Sequence, residues 1–446
     1  MRNQNTHMLR AWLKQIFISR PFARIISGQL ISAAGSNATA VVIPLIAVIT
    51  LQASSFEVGV LNAAQSIAAA ILGIHIGRWC DQIGPDKTML ASNLIGVAST
   101  GLLCAGVFTG FISLPALIVL MLAVGIAQLG FDIARTGYTV ALVPKEQLPH
   151  ANSLIEGASA VGEGIGPSFG GWLFSSIGAA FALLFDCATY VCSSLLVLLN
   201  VREYRQTFAQ FDAQERAAAD EDSGEGDNES LTEDIKSSKQ GLRFVWKNGV
   251  IRSIACSAGQ FNFFTAAFFT VYYVFVVREL HMSALTVGFA ETCSGIAGIA
   301  SVAVASPLMK HVAAGPLFLA TMLGPTLAAL LIPLAGFLLG NPPLVVLVVC
   351  VTQFAWSFTI TINLIVSESI KQVVTPEHML GQVSSVERVI ALAAEPIGAL
   401  AGGAVAGLLG NGFALYLCVV GLATSILWAL GKHGILSFAQ PQEWGE

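Results

Sequence analysis

The chain has 446 residues, of which 55% are hydrophobic and 11% charged, and its mean hydropathy is +0.73. A chain of this length with so few charged residues has too little polar surface to cover a water-soluble globule, so a soluble protein is excluded. The formal net charge of -5 comes from one segment, because residues 203–240 hold 11 of the 27 acidic residues and only four of the 22 basic ones.

The apolar residues fall into twelve long stretches. A membrane-spanning helix needs roughly 20 mainly apolar residues. Stretches of that length start near residues 25, 57, 88, 114, 151, 181, 250, 285, 315, 343, 380 and 412. The sequence therefore predicts an all-α membrane protein with twelve transmembrane helices.

The basic residues alternate between the connections of these predicted helices. They cluster near the N-terminus, in every second connection and around the middle segment, whereas the alternate connections contain only Arg278. Because Lys and Arg are retained on the cytoplasmic side of a membrane, we expect both termini and the acidic middle segment to be cytoplasmic.

The two halves of the chain match each other when the sequence is shifted by 231 residues, which places Gly28 on Gly259 and Glu156 on Glu387. Because each half has six helices, it begins and ends on the same side of the membrane. The two halves therefore have the same orientation and are related by an axis along the membrane normal. Such a duplication predicts two pseudo-symmetric six-helix bundles that provide alternating access to a site near the midplane of the membrane.

The predicted organisation is two bundles joined by a polar linker. Residues 203–240 combine low hydrophobicity with dense negative charge, so we expect them to be disordered and to act as a solvated tether. A regulatory or partner-binding role of this segment is the alternative. The predicted boundaries are a cytoplasmic N-terminus (1–24), an N-terminal bundle (25–202), an acidic linker (203–249), a C-terminal bundle (250–435) and a cytoplasmic tail (436–446).

Several functional classes find no support in the sequence. The eight cysteines are scattered, without the spacing of a disulfide framework or a metal site. No nucleotide-binding loop or nucleophile constellation is present, so we predict no enzyme, no cofactor and no metal. The only long polar segment is acidic and would be repelled by phosphate, so nucleic acid is not expected as a partner.

The connection after the second predicted span has a recognisable motif. Its sequence is Gly77-Arg-Trp-Cys-Asp81-Gln-Ile-Gly84-Pro-Asp-Lys87. It resembles the loop signature G-x-x-x-D-R-x-G-R-K of the major facilitator superfamily, with Gln82 in place of the arginine and Pro85 and Asp86 at two basic positions. The resemblance implies a gate in which Asp81 contacts a helix N-terminus, where a carboxylate is stabilised. The alternative is a tight glycine turn with an incidental carboxylate.

The fifth predicted span contains a second motif. Its sequence is Gly162-Glu-Gly-Ile-Gly166-Pro167-Ser-Phe-Gly170-Gly171. It is similar to the G-x-x-x-G-P-x-x-G-G pattern of exporters in this superfamily. Glycines spaced by four form a stripe along which another helix backbone approaches closely, and the proline adds a local bend. A generic packing stripe is the alternative. The eleventh span repeats the spacing with Ala394, Gly398, Gly402 and Ala406.

Residues 141–186, 241–246 and 375–385 look like the twelve-helix drug and proton antiporter branch, which includes macrolide efflux and enterobactin export proteins. This resemblance implies a monomer in a bacterial inner membrane that exports small amphiphilic or drug-like molecules in exchange for protons. A dedicated siderophore or metabolite exporter and an uncoupled facilitator are the alternatives. A receptor that transports nothing would not need charges inside its spans.

Ionisable residues inside the predicted spans are candidates for proton coupling. Inserting each such charged residue into a membrane costs roughly 2.5–3.5 kcal/mol, and its side chain usually faces a cavity or a partner. Desolvation favours the protonated form of a carboxyl, which lets it exchange protons near neutral pH. Glu163 and Glu395, near the middle of the fifth and eleventh spans, are the leading carriers; neutral carboxyls that join helices by hydrogen bonds are the alternative. The other candidates are Asp132 and Arg135, whose spacing of three places them on one helical face, and Glu156, Glu387 and Arg388.

The seventh predicted span is crowded with aromatic residues. Aromatic walls with a few polar groups suit amphiphilic ligands, so this span and the tenth are expected to line a substrate cavity. Aromatic side chains that face lipid are the alternative. The candidates are Gln260, Asn262, Phe264, Phe268 and Tyr272, together with Gln353, Trp356 and Asn363 of the tenth span.

Overall fold

The computed structural model describes residues 20–143, 147–221, 241–376, 379–430 and 435. In these ranges the chain forms twelve long helices and no strand. The predicted cytoplasmic tail (436–446) and most of the predicted N-terminus (1–24) lie outside the described residues. The helices are α1 (Arg20–Leu45), α2 (Ser55–Ile83), α3 (Pro85–Thr109), α4 (Leu114–Leu142), α5 (Leu148–Ile177), α6 (Ala179–Glu221), α7 (Gly249–Arg278), α8 (Ala284–His311), α9 (Ala314–Ala335), α10 (Pro342–Val374), α11 (Leu380–Leu409) and α12 (Asn411–Ser425).

Three pairs of consecutive helices are each joined by a single glycine. Gly84 connects α2 to α3 with φ +93°, Gly178 connects α5 to α6 with φ +98°, and Gly410 connects α11 to α12 with φ +89°. A residue with a side chain is strained at such positive φ values, whereas glycine adopts them readily. The chain therefore reverses between these helices within one residue.

Most of these helices are suited to a bilayer. Ten of the described helices are long and apolar enough to cross a membrane; α2 and α5 are the other two long helices. α5 also carries six glycines and two glutamates. The prediction of an all-α membrane protein with twelve helices is confirmed.

The described residues divide into two compact units. The N-terminal unit comprises those within Met1–Ala40, Ile71–Ile112 and Val119–Glu225, and the C-terminal unit comprises those within Val41–Ala70, Ser113–Ile118 and Gly226–Glu446. In the N-terminal unit α3 packs against α6. In the C-terminal unit α7 packs against α11 and α12, and α10 packs against α8 and α9.

The acidic segment differs from its predicted conformation. Residues 203–221 continue α6 as a helix, so the expected disorder is wrong for this part of the segment. The physical reason is composition, because these residues include many Ala, Gln, Glu and Arg, which favour a helix, and contain neither Gly nor Pro. Residues 241–247 form a further short helix, and residues 222–240 lie outside the described part of the chain.

Candidate functional site

In the N-terminal unit, the glycine stripe of α5 lies directly against α1. A Cβ atom at Gly162 would lie 2.5 Å from Ala33 Cβ, and one at Gly170 would lie 2.7 Å from the carbonyl oxygen of Ala38. Because real Cβ contacts are longer than this, only glycine permits the observed approach of the two backbones. Pro167 and Gly171 of the same motif are buried.

The repeat of this stripe makes the same kind of contact in the C-terminal unit. A Cβ atom at Gly402 would lie 2.6 Å from Ala267 Cα, and one at Gly398 would overlap the carbonyl oxygen of Phe263. α11 therefore packs backbone to backbone on α7, as α5 does on α1.

A polar cavity of about 350 Å³ lies within the N-terminal unit, among α1, α4, α5 and α6. Three of the predicted coupling residues line it, namely Asp132, Arg135 and Glu163. The Arg135 guanidinium lies 3.4 Å from the Asp132 carboxylate one turn away. The structure thus brings these three ionisable side chains to one cavity.

Two buried polar atoms at this cavity have no hydrogen-bond partner among the described residues. They are Gln29 Oε1 and Arg135 Nη1. Gln29 uses its amide nitrogen to donate to Ser159 Oγ at 2.9 Å. Because buried polar atoms in proteins are nearly always paired, the two atoms indicate that the cavity accommodates water or a polar ligand.

A larger cavity of about 590 Å³ lies within the C-terminal unit, among α7, α9, α10 and α11. One part of its wall is apolar and includes Phe261, Phe318, Met322 and Trp356. The ring centroids of Phe261 and Trp356 are 6.0 Å apart. This wall therefore offers an apolar, largely aromatic surface to a ligand.

Charged residues line another part of the same cavity. Lys371, only 4% exposed, donates from Nζ to Glu368 Oε1 at 2.6 Å and to Glu387 Oε2 at 2.9 Å. Arg388 also lines the cavity and is exposed. The cavity therefore combines an aromatic surface with two carboxylates and two cations.

The predicted cavity residues are distributed over four places, which are the cavity wall, a buried aromatic layer beside it, the contact with α12 and the contact with Glu291. Asn262, Trp356 and Asn363 line the cavity, and Asn363 also donates to Thr321 Oγ1 at 3.0 Å. Phe268 stacks on Trp356 with a centroid distance of 5.3 Å, and it forms a buried aromatic layer with Tyr272.

The remaining predicted cavity residues face other neighbours. Gln260 donates from Nε2 to the carbonyl oxygen of Gly421 at 2.9 Å, and the Phe264 ring packs on the same glycine. Both side chains therefore face α12 rather than the cavity, since the α7 helix presents aromatic residues on several faces. Gln353 is buried and hydrogen-bonds Glu291.

The remaining ionisable candidates lie apart from the two cavities or outside the described side chains. Glu395 is half-buried on α11 and lines neither cavity. The side chains of Glu156 and Asp81 fall outside what the structure describes, although both residues belong to described helices. In the loop motif, Gly77 has open space around it and Lys87 is exposed.

Sequence reasoning missed the hydrogen bonds of two carboxylates, Asp186 and Glu291, which the sequence places toward the outer ends of the sixth and eighth spans, to line the exit or to reach interfacial water. Asp186 is 1% exposed and accepts a hydrogen bond of 2.8 Å from Thr39 Oγ1. Glu291 accepts one of 3.3 Å from the Tyr273 hydroxyl. Glu368 and Lys371 were also missed, although their spacing of three residues on α10 is a signal of a local ion pair.

Comparison with known protein families identifies the fold. The profile of the Major Facilitator Superfamily matches residues 25–391. The chain belongs to this superfamily. It is therefore an integral membrane transporter of small molecules and not an enzyme. The resemblance based on the loop and glycine motifs is confirmed at the level of the superfamily.

Individual members of the superfamily cover nearly the whole chain. The multidrug efflux pump Tap of Mycolicibacterium fortuitum is 24% identical over 401 residues, which cover 86% of this chain and 89% of the pump. A bacterial homologue of the iron transporter ferroportin, solved in an inward-facing state, matches with a TM-score of 0.67 and 14% identity over 94% of this chain and 98% of its own. A bacterial metal transporter matches with a TM-score of 0.63 and 16% identity, over 93% of this chain and 100% of its own. At such identities the solved structures show the fold alone.

Proposed function

We propose that the protein is a secondary active transporter that exports small amphiphilic or drug-like molecules across a bacterial inner membrane. The observation that carries this proposal is the cavity of about 590 Å³ in the C-terminal unit, with its aromatic wall and its buried Lys371. Ligand pockets in proteins typically have volumes of roughly 300–1000 Å³ and combine an apolar lining with a few placed polar groups.

Two further facts support export of a drug-like cargo. The relative with 24% identity is a multidrug efflux pump, and its sequence aligns with 86% of this chain. The apolar part of the cavity wall includes Phe261, Trp356, Phe318 and the flexible Met322, which together suit apolar bodies of different shapes. A transporter with such a wall accepts several amphiphiles rather than one rigid solute.

Protons are the proposed driving ion, and the polar cavity of the N-terminal unit is their proposed binding region. Glu163 lines this cavity with Asp132 and Arg135. A carboxyl in such a site binds a proton when the cavity is closed to water, and a nearby guanidinium favours release of that proton. Glu163 is thus the first candidate carrier, and Glu395 is the second.

The glycine motif and the loop motif complete the proposed transport cycle. The contact of Gly162 and Gly170 with α1 involves only backbone atoms and the methyl groups of Ala33 and Ala38, so it permits one helix to slide or tilt on another. Asp81, with Gly77, Gly84 and Lys87, is proposed to gate the cytoplasmic side. Both termini are proposed to be cytoplasmic, because the basic residues cluster on that side.

Proton release from acid-loaded inside-out vesicles tests this proposal. The wild type is compared with Glu163→Gln and Glu395→Gln, while a panel of amphiphiles and siderophores is added. Glu57→Gln is the matched control, because this half-buried carboxylate accepts a hydrogen bond from Ser54 in its own turn and lines neither cavity. We expect amphiphile-triggered proton release that Glu163→Gln abolishes and that Glu57→Gln leaves unchanged.

The other outcomes identify the alternatives. Release triggered by siderophores alone would indicate a dedicated siderophore exporter. Substrate movement without proton movement would indicate an uncoupled facilitator and refute the antiport mechanism. Movement of no compound would refute drug export and favour a membrane receptor.

A further inference from the structure

The charged part of the C-terminal cavity holds one carboxylate more than Lys371 can neutralise. Lys371 lies between Glu368 and Glu387, with Nζ–O distances of 2.6 and 2.9 Å. One ammonium between two carboxylates leaves a net charge of -1 on the three residues. A ligand that brings a cationic group to this part of the cavity is therefore attracted to it.

Arg388 supplies the opposite charge to the same cavity. Its side chain lines the cavity next to Glu387 and forms no ion pair with any residue in the described part of the chain. A guanidinium binds a carboxylate through two parallel hydrogen bonds. The formal charges of these four residues thus sum to zero. The excess carboxylate and Arg388 remain as one negative and one positive position for a ligand.

Two buried polar atoms of the cavity wall are also without a hydrogen-bond partner among the described residues. They are Glu387 Oε1 and Thr265 Oγ1. Thr265 lies one helical turn from Phe261 of the aromatic wall. An unpaired carboxylate oxygen accepts a hydrogen bond from a ligand ammonium, and the unpaired hydroxyl serves a polar group on the ligand body.

We propose that this cavity selects an amphiphilic zwitterion, a molecule with an ammonium group, a carboxylate and an aromatic body. Its ammonium donates to Glu387 Oε1, its carboxylate accepts from Arg388, and its body lies against Trp356. A ligand with one charge would use only one of the two charged positions of the cavity and would therefore bind less tightly. The inference rests on the proposed function, because it names the cargo class of the same transporter.

Three matched probes separate the two charges. They are the dipeptide Phe-Phe as the zwitterion, its methyl ester as the cation, and its N-acetyl derivative as the anion. Binding to the purified full chain in detergent micelles is measured by isothermal titration calorimetry. We expect the zwitterion to bind about tenfold more tightly than either blocked form, because each blocked form loses one charged hydrogen bond.

Variants assign each charge to its residue. Glu387→Gln is expected to remove the preference for Phe-Phe over the N-acetyl form, which lacks the ammonium. Arg388→Gln is expected to remove the preference for Phe-Phe over the methyl ester, which lacks the carboxylate. Lys371 keeps Glu368 as a partner in the first variant, and Arg388 is exposed, so both variants should fold. Arg252→Gln is the control, since it removes an exposed cation of the same unit outside the cavity.

Equal binding of the three probes, or no binding of any of them, would overturn the zwitterion assignment. Amphiphile transport in the vesicle assay would then show that the proposed function still holds with another cargo class. Zwitterion selectivity that disappears equally in all three variants, the control included, would also overturn the assignment to Glu387 and Arg388.

Discussion

Replacement of Gly166 by alanine should disrupt the contact between α5 and α1. A Cβ atom at this position would lie 2.7 Å from the carbonyl oxygen of Ala34 and 2.8 Å from Asn37 Cβ. The carbonyl oxygen belongs to a helix backbone and cannot rotate away as a flexible side chain does. The two helices must therefore separate by several tenths of an ångström to admit one methyl group.

Gly166→Ala should lower the free energy of unfolding by about 1–3 kcal/mol, the usual range when a methyl group is inserted into a closely packed interior. Gly157→Ala on the same helix is the matched control, because a Cβ atom there meets nothing within 4 Å. Alanine favours a helix over glycine by about 1 kcal/mol, so the control variant should be at least as stable as the wild type. The two substitutions make the same chemical change and differ in their surroundings.

Thermal unfolding in detergent micelles measures the difference, with a thiol-reactive dye that reports exposure of buried cysteines such as Cys80, Cys350 and Cys418. Gly166→Ala should unfold at a lower temperature than the wild type, and Gly157→Ala at the same or a higher temperature. Equal unfolding temperatures of the two variants would refute the argument that the glycine stripe is required for close packing.

Three further substitutions test individual polar contacts by the same unfolding measurement. Asn363→Ala removes two hydrogen bonds to α9 and should lower stability by about 1–2 kcal/mol, and an unchanged unfolding temperature would contradict this contact. Lys371→Met leaves the largely buried Glu387 side chain without its cation and should lower the free energy of unfolding by roughly 3 kcal/mol. Adding Glu387→Gln should recover most of this loss, whereas additive losses would argue against the pair. Asp186→Leu removes the acceptor of the Thr39 and Thr189 hydroxyls and should lower the free energy of unfolding by about 1–3 kcal/mol. Asp186→Asn keeps one acceptor oxygen and should lower it by less. The reverse order of the two Asp186 variants would contradict that role.

The fold was largely predictable from the sequence because a bilayer imposes strict limits on a chain. Each span must be apolar over roughly 20 residues and must satisfy its backbone within a helix, so the twelve apolar stretches become twelve helices. The extension of α6 to Glu221 was not predicted, since dense charge hid the helix-forming composition of residues 203–221.

The candidate site was predictable only in part. Spacing along one helix identified Asp132 and Arg135 as neighbours, and both line the polar cavity. Periodicity does not say which neighbouring helix a face meets, so Gln260 was assigned to the cavity although it bonds α12. The contact of Lys371 with Glu387 joins two helices, and only their packing reveals it.

Concentrative uptake into inside-out vesicles is the most direct test of proton-driven export. An amphiphile is added outside vesicles with an acidic interior, and its accumulation is compared with that after the pH gradient is collapsed by nigericin. The proposed antiport predicts accumulation above the equilibrium level, which is lost with nigericin and in Glu163→Gln. Uptake to the same level with and without the gradient would contradict proton-coupled export.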